Sequence, residues 1–87
     1  RVVCCAALAS LAACAADPAR ARAVNVDLPA ALARRCAAAG ARLVHVSTDL
    51  VFGASAPPAA GFHERSEPEP LSQYGRSKLA GERTVQE

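Results

Sequence analysis

The stretch AAAGARLVHVSTD, residues 37–49, decides the fold of this 87-residue chain. Its alanines are strong helix formers, and Gly40 suits the left-handed conformation that commonly ends a helix. The segment Arg42 to Ser47 has a short, largely apolar centre, Leu43-Val44-His45-Val46, as expected of a buried strand. A helix that passes directly into a buried strand predicts an α/β protein with a parallel sheet.

The sequence before Gly40 predicts a long helix with one interruption. Asp17 can cap the first free amides of this helix, and Pro18 suits its first position. An apolar stripe recurs at every fourth position, namely Val24, Leu28, Leu32 and Cys36. Pro29 lies inside the helix and predicts a kink or a division near residues 26–28, because proline lacks the amide hydrogen and its ring collides with the preceding turn.

The apolar N-terminal run has two interpretations. Arg1 followed by small and apolar residues up to Ala16 resembles a secretion leader, and Leu11-Ala12-Ala13-Cys14 fits the cleavage pattern of lipoproteins. The run is shorter than the about 20 residues that span a bilayer, and a helix and a strand follow it without a spacer. We therefore expect a buried strand over Val2 to Ala6, followed by a short connection and the helix.

A long connection, Thr48 to Ser72, separates the second strand from a last helix, which we expect to begin at about Leu71 and to run to the end of the chain. Connections of this length inside compact domains are usually functional. The predicted order is strand–helix–strand–loop–helix, and ligands bind at the carboxyl edge of such open parallel sheets.

Composition narrows the range of functions. The net charge is +2, the ten basic residues are scattered among eight acidic ones, and aromatic residues make up 3% of the chain. We therefore expect neither nucleic-acid binding nor a membrane segment. A chain of this size with so few large side chains would have difficulty in forming a stable core. We expect it to be a piece of a larger protein, truncated at both ends.

The four cysteines, Cys4, Cys5, Cys14 and Cys36, lack Cys-x-x-Cys spacing and have no histidine at a metal-ligand spacing. We expect them to be reduced, buried thiols, and we expect no metal site. His45 could be a functional base on its strand, but we expect a partly buried strand residue whose ring nitrogens are both hydrogen-bonded.

The last helix carries a pair of residues suited to proton transfer. Tyr74 and Lys78 are four positions apart and so share one helix face. A free phenol has a pKa of about 10, and a nearby ammonium favours the phenolate, which makes the tyrosine a usable acid or base at neutral pH. Such a pair occurs by chance in many helices. It is more specific when, as here, Ser47-Thr48-Asp49 follows a strand at the edge where ligands bind.

Together these segments resemble the extended short-chain dehydrogenase/reductases, and above all the dTDP-4-dehydrorhamnose reductase family of sugar-nucleotide reductases. The resemblance covers nearly the whole chain. The matching segments are Asp17-Pro18, Ala23-Val24-Asn25, Leu43 to Asp49, Val51-Phe52-Gly53, Glu64, Pro70-Leu71 and Tyr74 to Glu82. The resemblance implies an α/β fold, a fragment of a Rossmann-type doubly wound parallel sheet, in which residues 1–87 are the central part of an NAD(P)-binding domain.

The resemblance also implies roles for individual residues. Tyr74 would be the proton donor, Lys78 would bind the nicotinamide ribose and tune Tyr74, and Thr48 would position the substrate carbonyl. Contacts to the cofactor, mainly through the backbone, would come from Ala6, Ala7 and Ser47. NADP or NAD would be the cofactor and would carry the hydride. Asn25 would either support the active-site strand from its helix or be an ordinary polar helix residue, and the sequence leaves both open.

Three functions fit the resemblance. The first is NAD(P)H-dependent reduction of a 4-keto nucleotide sugar in the cytoplasm, by a protein whose further partner would be a second copy of itself. The second is a nucleotide-sugar epimerase or dehydratase, which the spelling Val51-Phe52-Gly53 favours, and Leu50 stands where the reductases often have tyrosine. The third is a regulatory beta subunit of methionine adenosyltransferase, whose partner would be the catalytic subunit.

A glycine-rich phosphate-binding loop does not occur in the 87 residues. Such a loop, at the start of a helix, holds the cofactor's pyrophosphate in this class of domain. We therefore expect the 87-residue chain by itself to be inactive, and detectable cofactor turnover by this chain would contradict that expectation.

Overall fold

A computed structural model describes residues 1–53, 59 and 61–86. The helices and strands in chain order are β1 (Val2–Cys4), α1 (Leu11–Ala16), α2 (Pro18–Arg22), a π-helical turn (Ala23–Asp27), α3 (Leu28–Ala39), β2 (Leu43–His45), a 3-10 turn (Asp49–Val51) and α4 (Gln73–Gln86). Residues 54–58 and 60 of the long connection, and the last residue of the expected C-terminal helix, lie outside the described residues.

The two strands form a parallel pair, as predicted. Val2 pairs with Leu43, and Cys4 pairs with His45. Both strands are three residues long, shorter than the predicted Val2 to Ala6 and Arg42 to Ser47. The ladder ends where the Val46 amide donates to the Cys4 carbonyl at 3.0 Å. The chain after β1 then turns away from the ladder.

The two faces of this small sheet differ. Register partners in a parallel pair project to the same side, so Cys4 and His45 share the face that the helices cover. Cys4 is buried on this face. Val3 and Val44, on the opposite face, are 55% and 43% exposed. The helices therefore pack on one side of the sheet within the described part of the chain.

Two short helices follow β1, and one of them was not predicted. The Ser10 hydroxyl accepts from the Ala13 amide at 3.1 Å and caps α1. Asp17 accepts from the Arg20 amide at 3.1 Å, with Pro18 next to it at the start of α2. The predicted start at Asp17-Pro18 is confirmed. The expected short connection before it contains α1, for which the serine cap was the available signal.

The interruption near residues 26–28 is confirmed, and it takes the form of a π-helical turn rather than a kink or a division. Pro29 lies at the start of α3 and cannot donate to the carbonyl four residues earlier, that of Asn25. The ladder widens there, and the Leu28 amide donates to the Ala23 carbonyl, five residues back. The wider turn changes the phase of the helix. Leu28 of the predicted apolar stripe is therefore exposed, while Pro29 is buried.

The remaining helix ends follow their capping residues. Gly40 ends α3 with φ 68°, in the left-handed conformation that was predicted. The helix α4 begins at Gln73, two residues later than predicted, because the Ser72 hydroxyl accepts from the Gly75 amide at 2.9 Å and caps it. None of the helices described is long and apolar enough to cross a membrane.

Two glycines bring α4 close to the backbone of earlier segments. A methyl group on Gly81 would overlap the Asn25 carbonyl oxygen of the π-helical turn. A methyl group on Gly75 would overlap the Leu50 carbonyl oxygen of the 3-10 turn. The absence of a side chain at both positions therefore sets how closely α4 approaches the rest of the molecule.

Candidate active site

Four of the predicted site residues follow the carboxyl ends of the two strands. Ala6 and Ala7 come after β1, and Ser47 and Thr48 come after β2, so the parallel pairing brings all four to the same edge of the sheet. Ala6 is exposed and Ala7 is half-buried. Alanine has no atoms beyond Cβ, so a ligand can approach the backbone here, which fits the cofactor contacts expected of these two residues.

Lys78 reaches this edge from α4. Its side chain is 2% exposed, and its Nζ donates to the Val46 carbonyl at 2.9 Å. Burial lowers the pKa of Lys78 from its ordinary value, while Cys4 and Glu82 act in the opposite direction. An ammonium has three N–H donors, and Val46 supplies the one acceptor found within the described residues. Two donors therefore remain for ligand hydroxyls, and the position fits the role expected of Lys78.

Tyr74 lies one turn before Lys78 on the buried face of α4, as the spacing predicted. It is 9% exposed and forms an apolar cluster with Cys14 and Ala21, against which Leu8 packs. Its hydroxyl makes no hydrogen bond to any other described residue. The cluster therefore fixes the ring and leaves the hydroxyl able to bond to a ligand, which is what a proton donor requires.

Thr48 lies in a different environment. Its hydroxyl oxygen accepts from the Leu50 amide at 3.3 Å, which caps the 3-10 turn. This bond leaves the hydroxyl hydrogen free to donate. Thr48 lines a cleft of about 420 Å³ together with Phe52, Glu64 and Leu79. Within the described residues no hydrogen bond joins Thr48 to Tyr74 or Lys78, and the link between them runs along the chain from Val46, which holds Lys78.

Phe52, which lines this cleft, belongs to an aromatic pair in the long connection. The rings of Phe52 and Phe62 stack with their centroids 4.8 Å apart and their planes 7° apart. This contact ties the segment that follows the 3-10 turn to a later part of the connection. Such a stacked pair contributes about 1 kcal/mol beyond the area it buries.

Asn25 is not an ordinary polar helix residue. It is 0% exposed, and its Oδ1 accepts from the Leu8 amide at 2.8 Å. Its Nδ2 donates to the Leu8 carbonyl at 3.2 Å and to the Ser77 hydroxyl at 2.9 Å. The side-chain amide thus pairs with both backbone groups of Leu8, as a neighbouring strand would, and also connects to α4. Of the two roles left open by the sequence, the structure favours a supporting one, directed at the loop after β1.

Ser77 extends this connection to Tyr74. Its hydroxyl donates to the Tyr74 carbonyl at 2.8 Å and accepts from Asn25. Cys14 also takes part, because its Sγ donates to the Leu8 carbonyl at 3.2 Å. The loop after β1, the π-helical turn and the first half of α4 therefore share one hydrogen-bonded network around Asn25.

Glu82 belongs to this region, although no role was predicted for it from the sequence. It accepts a hydrogen bond from the hydroxyl of Ser47, the residue directly before Thr48. The spacing of four from Lys78 was the signal that could have pointed to it, since it places both side chains on one face of α4. Because the Ser47 hydroxyl is bound to Glu82, contacts of Ser47 with a cofactor would come from its backbone, as expected.

His45 differs from the expectation. Both ring nitrogens are buried and have no hydrogen-bond partner among the described residues, so the prediction of two hydrogen bonds is wrong. The nearest polar side chains of α4 are committed elsewhere, Lys78 to Val46 and Glu82 to Ser47. Burial, and then the charge of Lys78, lower the pKa of His45, and Glu82 opposes them. The neutral ring is therefore favoured.

The cysteines are all free thiols, as predicted. Cys4, Cys14 and Cys36 are buried, but Cys5 is exposed, so the prediction of burial is wrong for Cys5. The reason is its place at the end of β1, on the side of the strand opposite to Cys4. No group of metal-binding side chains occurs among the residues that the structure describes.

Comparison with known proteins gives the family. The family model described as RmlD substrate binding domain matches residues 1–87. The chain belongs to the RmlD family. The resemblance inferred from the sequence is thereby confirmed.

Relatives of this RmlD-family chain are considerably longer than it is. A dTDP-4-dehydrorhamnose reductase of Mycolicibacterium smegmatis is 44% identical over 84 residues, which are 97% of this chain and 25% of that protein. The methionine adenosyltransferase 2 subunit beta of Bos taurus is 44% identical over 64 residues, which are 74% of this chain and 18% of that protein. The chain thus spans about a quarter or less of the length of these relatives.

A solved structure shows the same backbone. The dTDP-4-dehydrorhamnose reductase of Bacillus anthracis, in complex with NADP, superimposes with a TM-score of 0.88 at 31% identity, over 98% of this chain and 30% of that one. The Rossmann-type α/β fold expected for this RmlD-family chain is confirmed by this match.

Proposed function

We propose that the complete protein reduces a 4-keto nucleotide sugar with NADPH or NADH, and that residues 1–87 are the central part of its NAD(P)-binding Rossmann domain. The observation that carries the proposal is the buried Lys78 ammonium, held by the Val46 carbonyl at the sheet edge and one turn away from Tyr74. The 44% identity to a dTDP-4-dehydrorhamnose reductase supports the choice of substrate class. Four free thiols favour a reducing compartment such as the cytoplasm.

The residues would divide the chemistry as follows. The Thr48 hydroxyl donates a hydrogen bond to the substrate carbonyl and orients it. Tyr74 gives its hydroxyl proton to the carbonyl oxygen. Lys78 stabilises the phenolate that remains and uses its free N–H groups to hold the nicotinamide ribose. The bound NADPH or NADH supplies a hydride to the carbonyl carbon. The ketone thus gains one hydride and one proton and becomes an alcohol, while the cofactor is oxidised.

The test uses the complete open reading frame that encodes this chain. Wild type and Tyr74→Phe are mixed with a 4-keto-6-deoxy nucleotide sugar and reduced nicotinamide, and cofactor oxidation is followed. We expect oxidation by wild type and a loss of about 10²-fold or more in Tyr74→Phe, because a positioned general acid contributes at least that much. Gln73→Ala, an exposed neighbour on α4, is the matched control and should keep its rate.

Cofactor affinity should be measured in parallel. Retained cofactor binding in Tyr74→Phe would show that the lost rate is a loss of proton transfer. An absence of oxidation by wild type, with cofactor binding intact, would overturn the reductase proposal and would favour an epimerase or a dehydratase, in which the cofactor is recycled.

A second candidate function is supported by the identity to a methionine adenosyltransferase 2 subunit beta over 74% of this chain. In that case the partner would be the catalytic subunit of methionine adenosyltransferase, rather than a second copy of this protein. Co-purification of the complete protein with that subunit, together with an absence of sugar reduction, would favour it.

A further inference from the structure

The end of β2 is held by α4 at two consecutive residues. Lys78 donates to the Val46 carbonyl at 2.9 Å, and Glu82, one helical turn later, accepts from the Ser47 hydroxyl. Thr48 is the next residue along the chain. Its backbone therefore leaves a segment that two side chains of α4 hold in place.

We propose that Glu82 is a positioning residue of the reaction: it fixes Ser47, and through it the placement of Thr48 relative to Lys78 and Tyr74. The inference rests on the proposed function, because it assigns Glu82 a part in that reaction. Glu82 lines the same cleft as Thr48, and the role proposed for it is exerted through the two residues to which it is linked, Ser47 and Lys78.

The charge of Glu82 gives the same residue a second effect. The charged or titratable groups around Lys78 are Cys4 from β1, His45 from β2 and Glu82 from α4, and Tyr74 lies one turn before it on the same face of α4. Of these, Glu82 is the carboxylate, and it partly offsets the burial of the Lys78 ammonium. A hydrogen bond to Ser47 and a counter-charge for Lys78 are thus combined in one side chain.

Three variants separate the two effects. Glu82→Ala removes both the hydrogen bond and the charge. Glu82→Gln keeps an oxygen that can accept from Ser47 but has no charge. Ser47→Ala removes the hydrogen bond and leaves the charge of Glu82 in place. Glu67→Gln, an exposed acid on the connection before α4, is the matched control.

The first measurement is steady-state reduction by the complete protein. Because each variant loses the hydrogen bond between the Ser47 hydroxyl and the Glu82 carboxylate, Glu82→Ala and Ser47→Ala should each lower kcat/KM by about tenfold or more. Glu82→Gln should recover most of this loss near neutral pH. Glu82→Gln also removes the charge that favours the ammonium form of Lys78. On the alkaline side of the pH profile, its activity should therefore begin to fall at a lower pH than the activity of wild type. Glu67→Gln should leave both the rate and the pH profile unchanged.

The second measurement does not depend on activity. Amide hydrogen exchange of the segment 46–50 should quicken by about tenfold in Glu82→Ala and Ser47→Ala, and should stay near the wild-type rate in Glu82→Gln. Unchanged exchange in all three variants would overturn the positioning role. If the complete protein did not reduce the sugar but its amide exchange changed as expected, the proposed reaction would be refuted. The positioning of Ser47 and Thr48 by Glu82 would still be established. Equal losses of kcat/KM in Glu82→Ala and Glu82→Gln, with no shift in the pH profile, would also overturn the proposal.

Discussion

Replacing Asn25 by alanine should release the loop after β1 and weaken its connection to α4. The change removes the bonds to the Leu8 amide at 2.8 Å, the Leu8 carbonyl at 3.2 Å and the Ser77 hydroxyl at 2.9 Å. Each hydrogen bond contributes about 1 kcal/mol net, so the expected loss is about 3 kcal/mol. That loss corresponds to a change of about 10²-fold in the equilibrium between the closed and open loop.

The assay is amide hydrogen exchange on the complete protein, followed at Leu8, with urea unfolding measured beside it. The Leu8 amide should exchange about 10²-fold faster in Asn25→Ala, because its acceptor is gone. Asn25→Asp is the more searching variant. It keeps an acceptor for the Leu8 amide but places a buried carboxylate against the Leu8 carbonyl, so it should destabilise at least as much as alanine.

The matched control is Asp27→Asn in the same π-helical turn. Asp27 is exposed, and its ion pair with Arg22 is 3.9 Å long, so its loss should cost less than about 0.5 kcal/mol. If Asn25→Ala left Leu8 exchange unchanged, or if Asn25→Asp behaved like wild type, the pairing of this side chain with the Leu8 backbone would not be what holds the loop.

Three further predictions concern other parts of the chain. Gly81→Ala places a methyl group against the Asn25 carbonyl and should lower the free energy of unfolding in urea titrations by about 2 kcal/mol, despite the better helix propensity of alanine. The control Arg83→Ala, at an exposed position, should change it by less than about 0.5 kcal/mol. Equal values for the two variants would show that α4 can shift at no cost. The pKa of His45 is lowered in the folded state from the ordinary 6.5, so the contribution of the neutral imidazole to stability is full above that value and is lost as the pH falls through the folded pKa. Between about pH 7 and about pH 5, the free energy of unfolding should therefore decrease less in His45→Leu than in wild type. Parallel decreases in the two proteins would refute this. Cys5→Ala should remove one fast-reacting thiol from the folded protein in a maleimide titration, and Cys36→Ala should remove none until the protein is unfolded.

Features that depend on a few neighbouring residues could be predicted from the sequence. Gly40 ends a helix in the left-handed conformation wherever that helix packs, and Asp17-Pro18 starts one for equally local reasons. The parallel pairing of β1 and β2 followed from the helix between them, because a strand–helix–strand unit has essentially one arrangement. The Ser10 cap of α1 is equally local, and with the alanines that follow it the sequence contains enough information to predict this helix.

Other features depend on which distant segments meet. The position of the interruption followed from Pro29, whereas the contact of this turn with Gly81 of α4, at the Asn25 carbonyl that Pro29 cannot bond, could not be predicted from one sequence. The missing partners of the His45 ring follow from the same cause. Lys78 and Glu82 are hydrogen-bonded to Val46 and Ser47, the two residues after β2, and are therefore not available to His45. These bonds cannot be predicted from one sequence.

The helix α4 shows why the family resemblance extends over nine residues when only two of them, Tyr74 and Lys78, are expected to meet the substrate or the cofactor. From its start to Glu82, α4 contacts three earlier segments, namely the 3-10 turn, the π-helical turn and the end of β2. The contacts are Gly75 with the 3-10 turn, Ser77 with Asn25, Lys78 with the end of β2, Gly81 with the π-helical turn and Glu82 with Ser47. A tyrosine and a lysine four apart would share a face on any helix. The residues between and after Tyr74 and Lys78 hold α4 against the earlier segments. They therefore determine that the face shared by Tyr74 and Lys78 lies at the sheet edge.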